Sequence, residues 1–171
     1  RRLASLVVIA VVAFSQALAT VAFQTITNNR IITPSIMGFE SLYRAVQTSA
    51  VYFLGVAGVV ALQGVPQFLI QVAVMVALAV ALYGTLLSGR HANLQVMLLI
   101  GIVIGAGLGS VATFMQRMLS PSEFDVLSAR MFGNISNAEA SYLPVAVPLC
   151  LAAGLGLWVR SQRLNVMALG A

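Results

Sequence analysis

Apolar residues fill this chain in long runs, interrupted by short polar intervals, and the runs have the length of membrane crossings. A bilayer core of roughly 30 Å takes about 20 helical residues to cross. The first run covers about residues 3–26 and ends at Thr27-Asn28-Asn29-Arg30, whose polar groups stop a helix. From Ala45 to Gly89 no charge occurs at all. One helix of that length overshoots the bilayer about twofold, so the break at Gln63-Gly64-Val65-Pro66-Gln67 predicts a hairpin of two spans, 45–62 and 67–88. A fourth run covers about 94–115 and a fifth about 142–159. The pattern therefore predicts an all-α fold, a polytopic transmembrane helical bundle with five spans forming a single domain over residues 1–171.

Two intervals are too polar or too irregular to join a span. Between the first and second runs lie Thr33-Pro34-Ser35, a short Ile36–Phe39 piece, Glu40 and Arg44. Irregular backbone of this kind cannot face lipid, where its polar groups find no partner, so a re-entrant or interfacial piece is expected. Residues 117–141 hold Glu123, Asp125, Arg130 and Glu139 and form the largest expected extramembrane segment.

Composition sharpens this picture. Charged residues make up 8% of the 171 positions, against roughly 25% in soluble domains. The mean hydropathy of +1.00 agrees with a membrane protein. All nine basic residues are arginine, giving a formal charge of +5. They stand singly at the ends of apolar runs and form no stripe on one face, which excludes a nucleic-acid surface. Arg30, Arg44, Arg90, Arg160 and Arg163 fall on one side of the predicted topology, against Arg1, Arg2, Arg117 and Arg130 on the other, which also holds Glu123, Asp125 and Glu139. The positive-inside rule then sets the Arg90 and Arg160 side in the cytoplasm and segment 117–141 outside. The start at Arg1-Arg2 without Met, and the end at Ala171 soon after a span, point to a piece of a longer protein.

Chemistry-bearing residues are few. Cys150 is the one cysteine and His91 the one histidine, so neither a disulfide, a metal site nor a cofactor site is expected. Ser15, Ser49 and Ser110 have no acid or histidine in their runs, and no catalytic residue is assigned. The apolar runs contain no ionisable residue of the kind that ion coupling requires. Gln16, Gln24, Gln47, Thr48 and Gln71 either face a path or bond between helices. Gly101, Gly105 and Gly109 recur every fourth residue beside Gly107, aligning small residues on one helical face for close approach; Gly55 and Gly58 repeat the pattern more weakly.

The stretch QTITNNRIITPSIMGFESLY, residues 24–43, resembles the loop after the second helix in permeases of the iron-siderophore and cobalamin class of ABC importers, with Gln24, Asn29, Pro34 and Gly38 at the family spacing. Arg30 replaces the usual Pro, as in the branch handling catecholate siderophores. Arg2-Leu3-Ala4-Ser5, Met131-Phe132-Gly133-Asn134 and RLNVMALG at residues 163–170 are similar to later landmarks of the same family, so the likeness runs over helices two to six of a ten-helix permease. It implies an importer of ferric siderophore in the bacterial inner membrane and not itself an enzyme. The implied partners are a second permease subunit, a cytoplasmic ATPase dimer and a periplasmic siderophore-binding protein. By the same likeness Gln24, Asn29, Gly38, Ser88, Gly89, Arg90 and His91 line the path or its gate, Arg2 docks the binding protein, and Arg163, Asn165, Leu169 and Gly170 lead to the ATPase. No phosphate-binding Gly-x-x-x-x-Gly-Lys element occurs and Lys is absent, so energy has to come from another chain. The alternative is half of a secondary transporter built on inverted repeats.

Overall fold

The computed structural model describes residues 2–27, 29–31, 33–61, 64–87, 94–132 and 140–160. Among them all regular structure is helical: α1 (Arg2–Thr27), α2 (Phe39–Ala61), α3 (Val65–Leu87), α4 (Leu94–Arg117), α5 (Pro121–Met131) and α6 (Leu143–Val159), with 3-10 turns at Pro34–Met37 and Ala140–Tyr142. Among the described residues four segments are long and apolar enough to cross a membrane, Leu3–Thr25, Phe39–Ala61, Val65–Leu82 and Leu98–Arg117. The apolar α6 is shorter, its 17 residues rising about 25 Å.

The chain divides into two compact units, Arg1–Pro34 with Asn134–Ala171, and Ser35–Gly133. In the first, α1 packs on α6 at Gly154, the buried residue of α6. A methyl group on Gly154 would meet Phe14 and Leu18 of α1 at 3.4 Å, so the missing side chain sets how closely these helices pack. Cys150 lies half-buried on α6.

The second unit is organised by α2 against α4. Gly38, at φ +90, turns the chain from the 3-10 segment into α2, where its carbonyl accepts from Leu42 N–H at 2.9 Å. That backbone lies directly on α4: a Cβ on Gly38 would fall 2.7 Å from Gly105 Cα and 3.2 Å from the Gly101 carbonyl oxygen. Gly101 faces Met37, and Gly109 faces the Ser41 hydroxyl. The glycine ridge of α4 is thus a packing seam, and its partner is the first turn of α2.

Three sequence expectations are corrected. The second span was expected from residue 45, with Glu40 and Arg44 in the preceding interval; α2 instead starts at Phe39 and contains both. They are four residues apart, and the Arg44 guanidinium donates to the Glu40 carboxylate, so each charge has a partner on its own helix. The apolar spans therefore do include ionisable residues. Gly55 and Gly58 are not a second close-approach face: Gly55 adopts φ 65, ψ 176 and breaks α2, with nothing near its Cβ position.

Past this break Val59 closes with Val51 and Leu127 of α5 in a buried cluster. Arg130 of α5 donates to the Val59 carbonyl at 3.3 Å, compensating an orphan acceptor in the last turn of α2. The polar segment after α4 thus contains a helix, started by a capping box in which Ser120 and Glu123 satisfy each other's backbone N–H groups, with Pro121 in the first turn. Hydrogen bonds from the Ser120 backbone N–H, then its hydroxyl, hold the Glu123 carboxyl below its ordinary range.

Gly38→Ala should destabilise the protein by about 2–4 kcal/mol, combining the left-handed conformation with overpacking against α4. Gly107→Ala, where no atom lies within 4 Å of the added methyl, should not. Thermal unfolding in detergent checks the pair; equal melting temperatures for the two variants would contradict the packing seam.

Candidate functional site

Polar groups inside the second unit follow from the direction of the two packed helices. Gly38 lies beside Gly105, Ser41 beside Gly109 and Thr48 beside Gln116, so α2 and α4 run side by side in the same sense. Thr48 and Gln47 are buried, 0% and 3% exposed, in a chain whose apolar residues are largely exposed. Each has a partner on a neighbouring helix. Gln116 donates from Nε2 to Thr48 Oγ1 at 3.0 Å, and Gln71 of α3 donates from Nε2 to Gln47 Oε1 at 3.2 Å. The sulfur of Met131 is 3.9 Å from the same Gln116 nitrogen. These amides bond between helices, the structural role open to them from sequence, and they hold α3, α4 and α5 to α2 around a polar centre.

Beside the α2–α4 seam lies an open cleft of about 480 Å³, lined by Arg44, Gly109, Ser110, Thr113, Phe114 and Arg117, with Ala106 beside them. Arg44, between Ser41 and Thr48, stands level with α4 between Gly109 and Gln116, inside the candidate span Leu98–Arg117. The arginine tally over the two sides is corrected accordingly. Arg44 and Arg117 were counted at opposite ends of spans, yet both line one cleft. Without Arg44 the remaining arginines divide four against four, Arg30, Arg90, Arg160 and Arg163 against Arg1, Arg2, Arg117 and Arg130, so their count sets no orientation.

The cleft's chemistry is cationic. Ser110 and Thr113 spend their hydroxyl protons on the Ala106 and Gly109 carbonyls at 2.9 Å, so they present oxygen lone pairs. The charged donors are the two guanidiniums, and Arg44 shares its charge with Glu40. Arg117 has no ion-pair partner among the described residues.

In the first unit the structure brings Gln24 and Asn29 together. After α1 the Gln24 amide donates to the Arg30 carbonyl at 2.7 Å, the Asn29 N–H donates to the Gln24 carbonyl at 3.2 Å, and the Asn29 side-chain oxygen accepts from Ile31 N–H at 3.0 Å. The two family-spaced polar residues thus build one turn by hydrogen bonding their own backbone. Gly38 sits in the α2–α4 seam of the second unit. Arg2 opens α1. Ser88, Gly89, Arg90, His91, Arg163, Asn165, Leu169 and Gly170 lie outside the described residues. Sequence reasoning passed over the Arg44–Arg117 cleft because its members are far apart in the chain and each had a sufficient explanation as a span-end arginine.

The model of the FecCD transport family matches residues 1–171. The chain is 50% identical over 170 residues to the petrobactin import system permease protein FatC of Bacillus anthracis, covering 99% of this chain and 48% of that protein. It is 36% identical over 170 residues to the petrobactin import system permease protein YclO of Bacillus subtilis, covering 99% and 54%. The chain therefore spans about half the length of these curated relatives. No solved structure matches.

The contact that joins α2 to the end of α4 is testable. Thr48→Val leaves the Gln116 amide without its hydroxyl acceptor, and Gln116→Leu removes the amide itself. A double-mutant cycle by unfolding in mixed micelles should give a coupling of about 0.5–1.5 kcal/mol, the range of hydrogen bonds within membranes. Zero coupling would contradict the bond.

Proposed function

Because the chain belongs to the FecCD transport family, we propose that it is the membrane-spanning portion of a permease importing a ferric siderophore across the bacterial inner membrane. The single observation that carries this reading is the family match over the whole chain, joined to 50% identity with a petrobactin import permease. The α-helical architecture suits it: the charged groups on α2 and α4 gather at a cleft beside apolar, span-length helices. Hydrolysis of ATP belongs to a separate cytoplasmic ATPase dimer, and a periplasmic binding protein delivers the chelate to a pair of permease subunits.

Within this reading the likeness to the family gives each of these residues its role. Arg2 meets the binding protein outside. Gln24 and Asn29 belong to the path, as does the loop Ser88-Gly89-Arg90-His91, while Gly38 supports it by seating α2 on α4. Arg163, Asn165, Leu169 and Gly170 carry the chain to the ATPase. For Gln24 and Asn29 the support is a built turn, in which their side chains bond the backbone of Arg30 and Ile31.

The inverted-repeat secondary transporter keeps one observation in its favour, the Glu40 and Arg44 charges inside a span-length helix. Their mutual pairing weakens it, since a carboxylate neutralised by its own neighbour is poorly placed to carry an ion. Uptake of radioiron-labelled ferric petrobactin decides between the two. Cells lacking their own permease, given the full-length permease with its ATPase and binding protein, should accumulate the label. A nucleotide-site variant of the ATPase should abolish accumulation, and a protonophore applied with ATP maintained should leave most of it. Protonophore-sensitive uptake that ignores the ATPase variant would favour the secondary transporter, and no uptake at all would reject the substrate.

A further inference from the structure

We infer that the cleft between α2 and α4 is an anion-contact site for the iron chelate, with Arg117 as its principal charge and Arg44 as a shared one. The inference rests on the import reading given above and adds to it the residues that meet the chelate and the charge they recognise. A ferric complex held by catecholate oxygens is anionic, because the deprotonated donors outnumber the charge of the iron. A route for such a complex through an apolar bundle needs compensating positive charge at some point, and among the described residues this cleft is where two guanidiniums open on one cavity.

The details fit a passing ligand better than a structural ion pair. The cleft of about 480 Å³ is open, so it contacts a ligand on one side and does not enclose it. Arg117 has no ion-pair partner among the described residues, whereas Arg44 is held by Glu40 on the same helix. The attraction is therefore limited to about one net charge, and a conduit requires attraction strong enough to admit an ion yet weak enough to release it. The hydroxyls of Ser110 and Thr113 have given their protons to backbone carbonyls, so they do not add donors that would trap an anion. Phe114 adds an exposed aromatic ring to the same wall, against which a catechol ring can stack. The glycines of α4 bring the two arginines into one cleft by letting α2 lie directly on the helix that carries Arg117.

The experiment uses the full-length permease assembled with its ATPase and binding protein in cells, and ferric petrobactin as the probe. Arg117→Gln should lower the initial uptake rate about tenfold with assembled importer recovered in equal amount. In a Cys150→Ala background, Arg117→Cys should be equally impaired. Attaching a positively charged aminoethyl group to that thiol should restore at least half the rate, and a negatively charged sulfonatoethyl group of similar size should restore none. Uptake by Arg117→Gln within twofold of the parent would overturn the inference. So would equal rescue by both adducts, which would mean that bulk matters and charge does not. Loss of assembled importer in proportion to lost uptake would make Arg117 a structural ion pair, and loss of co-purifying phospholipid with normal uptake would make the cleft a lipid-headgroup site; either result rejects the chelate contact. Failure of the parent itself to take up ferric petrobactin, with importer assembled, strikes the import reading and this inference together.

Discussion

Most of the second unit depends on how closely two backbones approach at Gly38 and Gly105. Membrane helices gain no hydrophobic advantage from leaving lipid for each other, so their association draws on close packing and interhelical hydrogen bonds. Here the approach leaves no room for a side chain at either position, since an added Cβ on each would fall within 3 Å of the other's Cα. A positive φ at Gly38 is also required to enter α2 at that point. The same residue therefore satisfies a conformational demand and a steric one.

Register follows from that contact. With the start of α2 fixed on the middle of α4, Thr48 comes level with Gln116, and Arg44 comes level with the last turns of α4. Two kinds of polar surface result. The amides of Gln47, Gln71 and Gln116 are consumed in interhelical hydrogen bonds, while Arg44 and Arg117 line an open cleft. On both sides of the break at Gly55, α2 closes on α5, through Val51 before it and Val59 after it against Leu127, with Arg130 bonded to the Val59 carbonyl.

The helices were legible in the sequence wherever an apolar run was free of charge, because a membrane span has to satisfy every backbone group internally and the helix is the way a single segment can do so. The start of α2 was not legible. Glu40 and Arg44 read as loop residues one at a time, and only their pairing on one helix face makes them compatible with a helix here. The helix α5 was hidden by its polarity, although Ser120, Pro121 and Glu123 form a capping signature that could have revealed it. The spacing of Gly101, Gly105 and Gly109 announced a close approach without naming the partner, which lies more than sixty residues earlier at Gly38. At Gly55 the spacing misled, because a glycine can serve backbone conformation as well as packing. Of the candidate site, Gln24 and Asn29 were readable from a local pattern, while the cleft of Arg44 and Arg117 emerges only when α2 and α4 are set in register.

The most direct test of this arrangement is a cysteine pair across the seam, made in a Cys150→Ala background of the protein in native membranes. The position of a Cβ at Gly109 lies 3.6 Å from the Ser41 hydroxyl, so sulfur atoms placed on these two positions come within reach of each other. Ser41→Cys with Gly109→Cys should oxidise readily to a cross-linked peptide pair seen by mass spectrometry, and Ser41→Cys with Gly107→Cys, on a different face of α4, should stay reduced. Linkage of the second pair with the first left as free thiols would show that α2 does not lie on the glycine ridge, and the register that gathers the arginines into one cleft would fall with it.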